Sequence, residues 1–378
     1  MIFYIKEKKL FLCPLDVLFV SALSYSIYGM FWLKNASLFF KEPLIILFSV
    51  TVFWLYKKFI SNSSKDCYVS LEIDLSSKKQ YIIYSLASLG IISFLIIYVY
   101  YGLEYFSLTK DLRYKYIKFT EIPRILSLVT MIGLFVASVA NHQYYPLARK
   151  ILVLLFWIIS FIEINREMMI IMALTSSAHF FKNKKDKVES VKLLSLSTVI
   201  IGGFVLIMTK PVLFILQYGI YPENFFYISE LSNWVRHFAF VKLRNIDISI
   251  VQQYDLQYFL NALIFPFSYF DSASKIFFEK ILNNTYTGMT FGYSGLIWTD
   301  YYFNGYFLIF PWIFLSMIYG KTFFSKNDFL RITFSLILII ICYRFFRSEW
   351  PLVIKTMLWV YFYPTLILYF LLKRERDS

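Results

Sequence analysis

The chain has 378 residues, 59% of them hydrophobic and only 16% charged, with 42 Phe and 31 Tyr. That composition excludes an average soluble domain and makes a membrane protein the default class. The net charge of +14 does not signal nucleic acid, because most Lys and Arg sit in short segments beside apolar runs, as the positive-inside rule requires. Cys13, Cys67 and Cys342 are scattered, leaving neither a disulfide framework nor a metal-ligand spacing such as CxxC.

Taken in chain order, apolar runs of about 17 to 25 residues mark ten candidate spanning helices. They fall at roughly 11–33, 43–60, 81–101, 122–140, 148–164, 167–181, 193–209, 294–319, 330–346 and 350–372. Alternating hydrophobicity of the barrel kind is absent, so the expected fold is all-α: a polytopic bundle of about ten transmembrane helices with a long folded external loop. The first run follows a basic start (Lys6, Lys8, Lys9) like that of a secretory signal, but it contains Pro14 and Asp16 and outlasts an h-region, so an uncleaved first helix is expected. The chain divides into residues 1–209 with seven helices, an external loop at 210–293, and 294–378 with three helices and a tail.

A cytoplasmic start and ten crossings put both termini and the segments 57–80, 141–150, 182–192 and 320–331 inside. This assignment depends on Asn165 and Arg166 forming the turn of a hairpin; one kinked helix there would invert everything downstream. With the hairpin, the outside face collects Arg113 and its neighbours in 110–124, Glu163 and Arg166 at the turn, and Arg344, Arg347 and Glu349 between the last two helices. A charge near bilayer depth costs about 2.5 to 3.5 kcal/mol on insertion scales and is by default a functional-site hypothesis. Snorkelling and a local Arg347–Glu349 pair are the alternative.

The long loop is rich in aromatics and poor in Gly and Ser, which argues for a folded element on the membrane surface. In its stretch 226–245, Glu230, His237 and Arg244 recur every seven residues and would share a helix face, with Arg236 beside them. An acid, an imidazole and a guanidinium on one stripe could supply a base, its partner and an anion clamp; a solvated amphipathic face would show the same spacing. His142 and His179 fall on the inside, so His237 alone among the three histidines shares the side of the outside arginines. A second helix is expected over 251–265, ending before Pro266 and carrying Asp255 and tyrosines at headgroup level.

The segment 291–314 is a polar, glycine-punctuated entry to a spanning helix, with Gly292, Ser294, Asp300, Tyr302, Asn304 and Gly305. Together with Arg347-Ser348-Glu349 and with Arg166 after a tight turn, it resembles the Wzy-type polymerases of O-antigen and capsule repeat units. Ser348 stands where those proteins carry Gly, and their Arg-x10-Gly motif is missing, since Arg124 follows Arg113 by eleven residues and Asp247 so follows Arg236.

The resemblance implies a GT-C-like polymerase/ligase architecture in the bacterial inner membrane. It also implies a metal-independent glycosyltransferase without cofactor. Donor and acceptor would both be glycan repeat units on undecaprenyl diphosphate, with membrane lipid and a chain-length regulator as further partners and no nucleic acid. Arg113, Arg166, Arg236, Arg244, Arg344 and Arg347, with Glu349, would then line the diphosphate site, since guanidinium offers permanent charge and bidentate geometry. His237, Glu230 or Asp300 would be the base. A ligase moving finished glycan shares these features. A flippase or transporter is a third reading, but the chain shows no internal repeat and its charges gather on one face.

Overall fold

The computed structural model describes residues 11–12, 69–70, 73–107, 117–163, 165–182, 249–264, 327–345 and 350–373, with isolated positions at 212, 215, 276, 279 and 280. They are overwhelmingly helical. In chain order they form α1 (Ser77–Ser107), α2 (Ile117–Ser138), α3 (Pro146–Ile162), α4 (Arg166–Lys182), α5 (Ser249–Ile264), α6 (Asp328–Phe345), α7 (Trp350–Lys355), a π segment (Thr356–Phe362) and α8 (Tyr363–Lys373). Two of these stretches, Ser77–Gly102 and Pro351–Lys373, are long and apolar enough to cross a membrane. The spans expected at 43–60, 193–209 and 294–319 lie outside the described residues.

One expectation is corrected. Phe11 and Leu12, read as the start of the first spanning helix, are extended instead and form β1 (Phe11–Leu12), antiparallel to β2 (Val69–Ser70) with Phe11 opposite Ser70. The reason is the partner strand: pairing with Val69–Ser70 requires extended backbone.

The centre of the bundle is α2. It packs against α1, α3, α4, α6, α8 and the π segment, and every residue from Ser127 to Ala140 is buried. That stretch, SLVTMIGLFVASVA, is apolar on all sides, the pattern of a helix surrounded by others. Small residues bring α1 close to it: Ser127 Oγ donates to the carbonyl of Gly90 at 3.3 Å, and a Cβ built on Gly90 would stand 2.9 Å from Thr130 Oγ1. On α3 the pattern is reversed. Leu147, Ile151, Leu154, Ile158 and Phe161 form an exposed apolar stripe, while Arg149 and Ser160 are buried with Leu152, Phe156 and Ile159.

The hairpin at Asn165 is present. Glu163 caps α3, its N–H bonding the carbonyl of Ile159 at 2.8 Å, and Asn165 caps α4, its Oδ1 accepting from the N–H of Glu167 at 3.1 Å and of Met168 at 3.4 Å. Trp157 Nε1 on α3 donates to Ser176 Oγ on α4 at 3.1 Å, a contact that one continuous helix could not make. The up-and-down order therefore gives the bundle two ends. One holds the start of α1, the α2–α3 connection, the start of α6 and the end of α8; there Asn141 Nδ2 donates to Asp74 Oδ1 at 2.7 Å, and Asn327 Nδ2 to the Tyr369 hydroxyl at 3.0 Å. The other holds the α3–α4 turn, the start of α2, the end of α6 and the start of α7.

The helix expected over 251–265 is α5, ending at Ile264 before Pro266 as proline chemistry demands. It packs on α7, and Trp359 Nε1 donates to the carbonyl of Ala262 at 3.1 Å. Tyr258, expected at headgroup level, is buried with Asn261 and Ala262, because this face of α5 is covered by protein.

Candidate polar site at the turn end of the bundle

Three helices bring charges together beside the α3–α4 turn. Glu167, in the first turn of α4, is 4% exposed. Its Oε1 accepts from Arg344 Nε at the end of α6, forming an ion pair. Its Oε2 accepts from the Tyr361 hydroxyl at 2.8 Å. Arg344 Nη1 donates in turn to Thr356 Oγ1 at 2.9 Å. Arg124, near the start of α2, lies within electrostatic reach of both Glu167 and Tyr361. Arg166, the residue before Glu167, is buried as well.

The π segment explains how one helix reaches the ion pair twice. Thr356 and Tyr361 are five residues apart, and on an α-helix five residues turn through about 500°, which sends the two to different faces. Here the N–H of Tyr363 bonds the carbonyl of Leu358, five residues back. The wider turn of that ladder brings Thr356 and Tyr361 toward a common side. Both are buried, at 4% and 0% exposure.

A second constellation lies on the same turn. Glu163 Oε1 accepts from the hydroxyls of Tyr98 and Tyr105, each at 2.9 Å, and Tyr105 also reaches Oε2 at 3.1 Å. Tyr98 and Tyr105 are seven residues apart, about 10.5 Å along a straight helix, yet their ring centroids are 5.5 Å apart. The reason is Gly102, with φ 58° and ψ −150°, which kinks α1 between them. An L side chain is strained at that φ; glycine is not.

Of the residues expected to bind diphosphate, Arg166 and Arg344 are thus brought to one end of the bundle, Arg344 paired with Glu167 and Arg166 buried at the start of α4. Arg113, Arg236, Arg244, Arg347 and Glu349, and the candidate bases His237, Glu230 and Asp300, lie outside the described residues. His142 is exposed at the opposite end, where its carbonyl accepts from Gln80 Nε2. Sequence reasoning counted Arg124 among the outside charges of 110–124 without giving it a role, and gave none to Glu167, Thr356 or Tyr361. The adjacency of Glu167 to Arg166 was a readable signal, but the two hydroxyls were hidden in an apolar run whose π register the sequence does not announce. Among the described residues no cluster of His, Cys, Asp or Glu could hold a metal ion. No family model, no curated protein and no solved structure matches this chain.

Proposed function

We propose that the chain is a multi-pass bacterial inner-membrane glycosyltransferase that polymerises oligosaccharide repeat units carried on undecaprenyl diphosphate, at the outer face of the membrane. The observation that carries this reading is the approach of Arg344 and Arg124, from two helices, to the buried carboxylate of Glu167, with Arg166 buried beside it in sequence at the same end of the bundle. Guanidinium groups gathered at bilayer depth are costly and suit a ligand that carries negative charge. When a glycosidic bond to diphosphate breaks, negative charge develops on the diphosphate oxygens, and fixed cations in a site shielded from water stabilise it by several kcal/mol.

The rest of the molecule fits a membrane enzyme. The outward apolar stripe of α3, with Arg149 and Ser160 facing in, inverts the polarity of a soluble helix and suits lipid contact. Lys78, Lys79, Arg149, Lys150, Arg331 and Lys373 belong to the end remote from the arginine cluster, consistent with that end facing the cytoplasm along with both termini. The helix α5, from the long loop, lies against α7 near the cluster, where it could help cover a glycan.

Deleting the gene and following the lipid-linked glycans tests the proposal. A polymerase leaves single repeat units; a ligase leaves unattached long polymer; a flippase leaves repeat units that external glycosidases cannot reach. Complementation with R124Q or R347A, at wild-type protein level, is expected to leave the single-repeat product. A full glycan ladder from both variants would remove the arginine-based account.

A further inference from the structure

The turn of helix that holds Arg344 is itself anchored to three other helices. Thr356 Oγ1 accepts from Arg344 Nη1 on α6 at 2.9 Å, and the Tyr361 hydroxyl donates to Glu167 Oε2 on α4 at 2.8 Å. Between those two in sequence, Trp359 Nε1 donates to the carbonyl of Ala262 on α5 at 3.1 Å. The Trp359 ring also lies against Tyr363, with centroids 4.9 Å apart, and it is the Tyr363 N–H that closes the five-residue ladder on Leu358. Two residues turn through about 200° on an α-helix, so Trp359 and Tyr361 face opposite ways. The loop helix α5 grips one side of the segment, and the ion pair is held from the other.

The acceptor of the indole is set by the sequence of α5. The last carbonyls of a helix have no partner within it. A continuing α-helix would satisfy the Ala262 carbonyl from the N–H of residue 266, but that residue is Pro266, which has none. Ala262 is 2% exposed, which shields it from bulk water, and a buried carbonyl without a donor is costly. Trp359 supplies the donor from another helix. The cap of α5 and the two hydroxyls on the Arg344–Glu167 pair therefore come from one short segment, Thr356–Phe362.

We infer that Trp359 is a positioning residue: its indole latches α5, from the long loop, to the π segment, and so fixes the register in which Thr356 and Tyr361 hold Arg344 and Glu167. π turns are rare, and they occur chiefly as single-turn bulges, frequently at functional sites. Relaxation of this one to an α-helix would send Thr356 and Tyr361 to different faces and release one side of the ion pair. Docking of α5 on Trp359 opposes that relaxation. The long loop is thereby coupled to a buried guanidinium through a bond that spans 97 positions of chain. Only the purpose of the held guanidinium, to meet the charge of the leaving diphosphate, rests on the polymerase reading.

The test uses the full chain in nanodiscs and two measurements. The first needs no substrate. The Arg344 Nε–H, which Glu167 accepts, is followed by NMR of the guanidinium nitrogens and assigned by its loss in R344K. W359F keeps an aromatic ring but has no donor, and its Arg344 Nε–H is expected to exchange with solvent at least about tenfold faster than in wild type, through easier local opening. The second measurement is the joining of single-repeat polyprenyl-diphosphate glycan purified from a strain lacking the gene. A misplaced cation weakens the transition state more than the bound ground state, so W359F is expected to lower kcat at least about tenfold with KM within about threefold.

P266A separates the latch from the cap, because it gives residue 266 the N–H that the Ala262 carbonyl otherwise lacks. W359F/P266A is expected to regain the wild-type unfolding midpoint while keeping the low kcat and the fast Nε–H exchange. P266A alone is expected to resemble wild type, since a carbonyl has two lone pairs and can take both donors. Unchanged exchange in W359F, or recovery of kcat and slow exchange together with stability in W359F/P266A, overturns the positioning role and leaves Trp359 a helix cap. A wild-type chain that joins no repeat units, yet shows the W359F change in exchange, overturns the polymerase reading and upholds the latch, so the two failures are told apart.

Discussion

The pair Glu167–Arg344 offers the sharpest test of how the turn end of the bundle is held. Replace Glu167 by Leu and Arg344 by Met, singly and together, choosing apolar residues so that volume is roughly kept. In the single variant E167L, Arg344 Nε and the Tyr361 hydroxyl both lose their acceptor in a place where the two ion-pair side chains are only 5% and 17% exposed. Removing one partner of a buried pair costs about 3 to 5 kcal/mol, because the surviving charge stays desolvated. R344M leaves Glu167 with the Tyr361 hydroxyl, a neutral donor, and belongs at the lower end of the same range. In the double variant no charge of the pair is stranded, and the unmade hydrogen bonds of Tyr361 and Thr356 cost roughly 1 to 3 kcal/mol each at most, partly recovered by apolar packing. The double variant is therefore expected to be more stable than E167L alone, with a coupling of at least ~2 kcal/mol, about a 30-fold difference in the unfolding equilibrium. Reversible unfolding in mixed micelles, titrated with dodecyl sulfate and followed by tryptophan fluorescence, measures the four corners of the cycle. Single-variant losses that add within about 0.5 kcal/mol would refute the reasoning, since groups without contact are additive to that extent.

Three further outcomes follow from the same geometry. Gly90→Ala is expected to destabilise by about 1 to 3 kcal/mol through overpacking against Thr130 Oγ1, and the cost should shrink in G90A/T130A, where the atom met at 2.9 Å is gone; equal losses in both, measured in the same titration, would count against the close approach of α1 and α2. Gly102→Ala meets no atom within 4 Å, so its expected cost of about 1 to 3 kcal/mol is backbone strain alone, and the matching readout is loss of the Tyr98–Tyr105 proximity, followed by crosslinking between cysteines placed at 98 and 105. Asn165→Ala should cost about 1 kcal/mol by uncapping α4, with Asn165→Asp close to wild type; a neutral N165A would mean that the cap bonds to Glu167 and Met168 contribute little.

Much of the helical framework could be read from the chain. Apolar runs bounded by charges gave α1, α2, α3, α4, α6 and the last helix to within a few residues, because spanning length and helix caps are local properties. Asn165 and Arg166 marked a hairpin for the same reason: a capping residue followed by the polar first turn of a helix. Pro266 fixed the end of α5. The extended Phe11–Leu12 departed from its apolar pattern, since its conformation depends on a partner strand nearly sixty positions away.

The candidate site was legible only in part. Charge at the ends of apolar segments singled out Arg166, Arg344 and Glu163, because an ion beside a lipid-length run is anomalous wherever it stands. What the sequence could not state is which ions meet. The pairing of Glu167 with Arg344 spans 177 positions. Its completion by Thr356 and Tyr361 depends on a π register within an apolar run, and the grip on Glu163 depends on the positive φ of one glycine. Composition and periodicity determine that these residues form long apolar helices and where the helices end. Only the packing of α1, α4, α6 and the π segment around α2 decides which buried charge is answered by which hydroxyl or guanidinium, because that choice is made between residues distant along the chain.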